Sequence, residues 1–122
     1  MADWNEDQPI YRQIREKIVE LILNGTIQEG EPVPSVRSLA ADYQINHLTV
    51  SKAYQGLVAE SVLEKKRGLG MFVTQGAQAQ LLVQERKKFL EQDLPMLIVK
   101  IKQLGFSAEQ IKEHIEKWEG LK

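Results

Sequence analysis

The side chains with chemical potential are few, and their spacing suits contact with a polyanion better than bond-making. Histidine occurs only at positions 47 and 114, and cysteine is absent. Without cysteine there is no disulfide, thiolate nucleophile or thiolate metal site, a composition that fits a reducing cytosol. Carboxylates are scattered over the helical segments and form no nucleophile–base pair. No enzyme, metal site or cofactor is expected. Arg67-Gly-Leu-Gly70 holds two glycines but reads as a turn, since it is not a phosphate loop following a strand. The feature left standing is Lys65-Lys66-Arg67 beside Gly68. Three cations where a glycine permits close backbone approach suit phosphate oxygens, or a side chain dropped into a minor groove. The plainer reading of such a run is a solvated surface.

A second group lies on one helix. From Asn46, a good N-cap, the apolar positions Val50, Ala53, Tyr54, Leu57 and Val58 recur as a single stripe. At roughly 100° per residue the opposite face carries Leu48, Lys52 and Gln55, with Thr49 on its shoulder. A helix anchored on one side and bare on the other can enter a major groove about 12 Å wide. Ser35 and Asn46 each open a helix, where backbone amides are available to phosphate oxygens.

The elements that must hold these groups follow from local signals. Residues 1–8 form an acidic arm with Trp4, expected to pack on the domain or a partner subunit. A first helix starts at Pro9, expected at N1, and buries Ile10, Ile14, Ile18, Leu21 and Ile22 until Asn24-Gly25 stops it. Gly30-Glu-Pro-Val-Pro34 cannot be helical. Ser35 caps a short second helix to about Asp42, with Val36, Leu39 and Ala40 inward. After the Asn46 helix, strands near Val62–Lys66 and Gly70–Thr74 form a hairpin. A long polar helix then runs to Gln92, Asp93 caps an apolar helix ending at Leu104-Gly105, and Ser107-Ala-Glu-Gln110 is a capping box for a last helix. Tyr11, Tyr43 and Tyr54 read as core or core-edge aromatics.

Two helices with a tight turn and a hairpin with a basic tip match a winged helix-turn-helix, although a small α+β domain without a ligand would share the periodicity. The expected fold class is mainly α with a small β-hairpin: a DNA-binding winged helix-turn-helix domain over 9–75 and a helical dimerisation tail over 76–122. Bulk charge gives no help, because the formal net charge is −1 and residues 10–73 hold eight Lys/Arg against seven Asp/Glu. The acidic N-terminus is unlike a signal peptide, and no apolar stretch reaches membrane-spanning length. A cytoplasmic protein with no membrane partner is expected.

Four segments carry a resemblance. Pro9-Ile-Tyr-Arg-Gln-Ile14, Gly30-Glu-Pro-Val-Pro-Ser-Val-Arg-Ser-Leu-Ala40 and Leu48-Thr-Val-Ser-Lys-Ala-Tyr54 resemble the GntR family of bacterial regulators. Leu63-Glu-Lys-Lys-Arg-Gly-Leu-Gly-Met-Phe-Val73 is similar to that family's wing. The short helical remainder looks like the YtrA subfamily, in which such a tail serves dimerisation. The resemblance implies a repressor of double-stranded operator DNA, frequently at operons for ABC-type transporters. By position it implies that Arg37 contacts the operator, that Asn46, His47, Leu48, Thr49 and Ser51 open the recognition helix, and that Arg67 and Gly68 form the wing tip. His47 and Ser51 depart from relatives that carry basic readers there. A short histidine cannot make arginine's bidentate guanine contact, so a different operator is implied, with Lys52 placed to restore part of the charge.

Met96, Leu97, Ile98, Val99, Ile101 and Leu104 make a helix apolar nearly all round, which must be buried on most sides. Packing on the same chain is one solution. A two-fold homodimer interface, joined by Ile115 and Trp118, is the other and suits a palindromic operator. Whether a small-molecule effector exists is not legible. From another functional class, a winged helix that holds protein instead of DNA is the competing reading, and the basic wing and bare helix face speak against it.

Overall fold

The computed structural model describes residues 8–120, so Trp4 and most of the acidic arm lie outside the described residues. The elements run α1 (Ile10–Leu23), α2 (Val36–Tyr43), α3 (His47–Ala59), β1 (Leu63–Lys66), β2 (Gly70–Val73), α4 (Ala77–Lys88), α5 (Leu94–Gln103) and α6 (Ala108–Gly120), with a π-helical turn at Phe89–Asp93. The expected class, mainly α with one small antiparallel hairpin and helices at the C-terminal end, is the observed one.

The chain divides into two compact units after Val83. The first has one apolar core. Ile14, Ile18, Val19 and Ile22 of α1, Leu39 and Ala40 of α2, and Val50, Ala53, Tyr54 and Leu57 of α3 are buried in it, closed by Val62, Leu63 and Val73. Three positions correct the expected helical stripes. Ile10 is exposed while Val19 is buried, and Val58 is 36% exposed instead of turned inward. Pro9 also stands one place before the expected N1, as the N-cap of α1. Ala77 and Leu81 of α4 are fully buried, which carries this unit past the domain boundary expected at residue 75.

Two connections hold the helix pair. Gln44 turns the chain through the left-handed region at φ 55°, ending α2 just before α3 begins. Tyr54, wholly buried, donates its hydroxyl to the Pro34 carbonyl at 2.7 Å and so ties α3 to the entrance of α2. Burial pushes the phenol's pKa up, so it stays a donor at any ordinary pH. Removing that donor with Tyr54→Phe should lower stability by about 1 kcal/mol, read as a smaller urea midpoint at unchanged slope. An unchanged midpoint would mean that Pro34 finds water as good a partner.

The loop Gly30–Pro34 is extended, and it pairs with β2. Gly30 donates to the Val73 carbonyl at 2.8 Å, Val73 to Glu31 at 2.9 Å and Val33 to Met71 at 3.0 Å, with a bridge between Pro32 and Phe72. The hairpin therefore has a third, short partner, and Pro32 occupies an edge, where a missing N–H is tolerated. Arg15 and Glu60 add a two-point ion pair at 2.9 and 2.5 Å, joining α1 to the end of α3.

In the second unit the helix does not restart at Asp93. Asp93 is itself helical (φ −73°, ψ −44°) and makes no side-chain cap, which corrects the expected break. Pro95 has no N–H to continue an α-pattern, and just before it the Leu94 amide reaches back to the Phe89 carbonyl in a π turn. The later signals hold: Gly105 at φ 79° ends α5, and Ser107 and Gln110 exchange the reciprocal bonds of a capping box at 2.8 and 3.2 Å.

Candidate nucleic-acid interface

The side chain of Ser35 caps α2 by accepting from the Ser38 amide at 3.1 Å, and Asn46 caps α3 by accepting from the Leu48 amide at 2.8 Å. Each cap occupies one of the N-terminal amides that the sequence suggests for phosphate, while fixing the first turn of its helix. Arg37 stands in the first turn of α2, exposed, with no hydrogen bond or ion pair among the described residues. Arg37, Asn46 and His47 line one open groove of about 720 Å³, floored by Ala40, Ala41 and Ile45. Alanines keep that floor low, so a cation and the start of α3 face the same space.

Along α3 the outward ridge is Leu48, Lys52 and Gln55, all exposed, with half-buried Ser51 between them, spaced i, i+4, i+7 and i+3. Three of these are occupied within the protein. Gln55 donates to the Ser51 hydroxyl at 3.3 Å, and the Lys52 ammonium sits 4.0 Å from the centre of the Tyr11 ring on α1. The Tyr11 hydroxyl is in turn held below its usual pKa, mainly by a hydrogen bond with Arg12 and then by the charge of Lys52. Leu48 is 65% exposed, His47 is exposed, and Thr49 and Ser51 are half-buried. Lys52 as a replacement for lost basic readers is thus a cation already seated on an aromatic face. Nothing in the local sequence signals that pairing, because Tyr11 arrives from another helix.

The wing separates its cations similarly. Lys66 lies 4.6 Å from the Phe72 ring centre and 3.8 Å from the Glu64 carboxylate. Lys65 and Arg67 are exposed and have no such partner among the described residues. Gly68 takes φ 78°, the left-handed conformation that lets the chain reverse at Arg67 without a Cβ clash. On this face, the cations without a partner among the described residues are therefore Arg37, Lys65 and Arg67. The groove gathers the first with Asn46 and His47, and the wing residues are not part of its lining.

In the second unit no described residue is buried. Met96 is 74% exposed and Ile98 40%, and Leu97, Val99, Leu104, Ile115 and Trp118 are exposed as well, with Ile101 half-buried. No helix of the described residues is long and apolar enough to cross a membrane, and no three metal-ligating side chains cluster among them.

Comparison with known proteins matches this geometry. The profile described as "Bacterial regulatory proteins, gntR family" matches residues 10–73, from the start of α1 to the end of the wing. The HTH-type transcriptional repressor YtrA of Bacillus subtilis is 35% identical over 114 residues, covering 93% of this chain and 87% of that protein. A GntR family transcriptional regulator from Listeria monocytogenes has a similar structure, with TM-score 0.72 and 28% identity over 93% of this chain and 98% of that one. AraR(DBD), solved in complex with operator ORR3, matches 61% of this chain and 87% of its own at TM-score 0.54 and 27% identity. With a family match across the whole winged region and a likeness to a repressor over 93% of the chain, the chain belongs to the gntR family of bacterial regulatory proteins, a DNA-binding helix-turn-helix regulator and not an enzyme.

Proposed function

We propose that this regulator is a homodimeric, cytoplasmic repressor that reads a palindromic operator with α3 in the major groove and the wing against the backbone. The observation that carries the reading is the open groove in which Arg37, without a partner among the described residues, stands beside Asn46 and His47 at the start of α3. Ser35 and Asn46 set the helix starts; Arg37, His47, Leu48, Thr49 and Ser51 face the base edges. Lys65, Lys66, Arg67 and Gly68 lie along the phosphates, and Lys52 contributes field from its seat on Tyr11. The YtrA relative is named a repressor and AraR(DBD) was solved on operator DNA, which supports carrying both properties over. The regulated genes proposed from the family resemblance are those of a transporter operon.

The layout proposed is an arm over 1–8, a DNA-binding domain over 9–75 and a dimerisation tail over 76–122, with the first turns of α4 completing the winged core. The exposed Met96, Leu97, Ile98, Val99, Leu104, Ile115 and Trp118, with Ile101, support the interface assigned to that tail. A near-neutral protein cannot lean on overall charge, so its affinity must be local and bivalent.

A salt titration tests the reading. With Lys65, Lys66 and Arg67 of each subunit against the backbone, six phosphate contacts per dimer predict a loss of affinity on the order of 10³ between 50 and 200 mM salt. The measurement is fluorescence anisotropy on duplexes enriched from genomic fragments. Failure to bind any duplex at the lower salt would overturn it.

A further inference from the structure

The recognition ridge has lost most of its polar reach, and what remains is a hydrocarbon. Ser51 and Gln55 bond each other and Lys52 is drawn to Tyr11, whereas Leu48 projects with 65% of its surface in solvent. Leu48 has no structural employment that explains this exposure. The positions spaced to staple the start of α3 are Ile45 and Val50, which are packed on the core and in it respectively. Asn46 holds the Leu48 amide at 2.8 Å, so the backbone that aims the side chain is fixed. Building on the proposal that α3 enters the major groove, we infer that Leu48 is a specificity-determining residue that recognises the 5-methyl group of a thymine. Among base edges in that groove the thymine methyl is the one projecting apolar group; cytosine offers only a C5–H in its place, and the nitrogen and oxygen groups presented there donate or accept hydrogen bonds. A leucine set against a cytosine amino or guanine carbonyl would strip water from it and return nothing. Set against a methyl, both partners leave water together.

The test uses the full chain and a duplex enriched from a randomised library, remade with deoxyuridine replacing each thymidine in turn. That exchange deletes one methyl and leaves the Watson–Crick pairing intact. For the wild type, one symmetry-related pair of positions should weaken binding by about fourfold per methyl, the value of one buried methyl group. Leu48→Ala should lose affinity for the thymidine duplex and be indifferent to the exchange, and Leu48→Met, which keeps an apolar reach, should retain sensitivity. 5-Methylcytosine at the same position should bind better than cytosine for the wild type alone. Equal sensitivity of Leu48→Ala and wild type to the exchange, or no sensitive position in the wild type, overturns the assignment while leaving operator binding itself standing. Absence of any duplex binding by the wild type overturns both.

Discussion

Ile98→Asp is expected to convert the protein from dimer to monomer and to lower operator affinity by about two orders of magnitude or more. Ile98 is 40% exposed in the single chain, so an aspartate there keeps its hydration and leaves the fold of one subunit intact. In a two-fold interface the same residue appears twice, and each carboxylate must give up water against apolar neighbours at a cost of several kcal/mol. Losing the dimer turns one bivalent event into two independent half-site encounters, which removes an avidity of about 10²–10⁴. Sedimentation velocity should show the change in mass, with an unaltered far-ultraviolet dichroism spectrum as the control for folding. A wild type that sediments as a monomer at concentrations where it saturates the operator would remove the tail from the binding mechanism.

Arg37→Ala is the second large effect, a weakening of operator binding by about 1–3 kcal/mol with the dimer untouched. Arg37 has no partner to abandon within the described residues, so its removal leaves no buried charge behind and should scarcely move the unfolding midpoint. The pattern of loss also separates two roles. A guanine reader should relax preference at one base-pair position, and a phosphate contact should weaken all sequences alike and flatten the salt dependence. Arg37→Lys sharpens the distinction, because an ammonium restores a phosphate contact but not a bidentate one. Unaltered affinity in both variants would place Arg37 outside the interface.

Much of the fold is legible because its signals are local. Ser35, Asn46, Asn24-Gly25, Gly105 and the Ser107–Gln110 box mark helix ends through bonds made within a few residues, and each end falls where its signal stands. What sequence periodicity misses is decided by partners far along the chain. Glu31 to Val33 look like a proline-broken loop until β2 is there to pair with them. Val58 fits the helical period, yet the core has no surface left at that angle. Asp93 resembles a cap, and the π turn that replaces the break comes from continuity across Pro95. The interface shows the same division. The groove of Arg37, Asn46 and His47 follows from two capped helices, whereas the seat of Lys52 on Tyr11 depends on how α1 crosses α3.

The pairing of Glu31–Val33 with β2 has a consequence for how the protein would meet DNA. The strand that ends the wing is laced by backbone hydrogen bonds to the segment that leads, within a few residues, into Arg37. The wing and the entrance of α2 are thus clasped together by backbone hydrogen bonds already present in the free chain. A clasp of this kind gains little by adapting to imperfect sites. Because the bonds of the clasp run through backbone atoms, substitutions at exposed positions such as Arg37 or Leu48 leave the frame that carries them untouched.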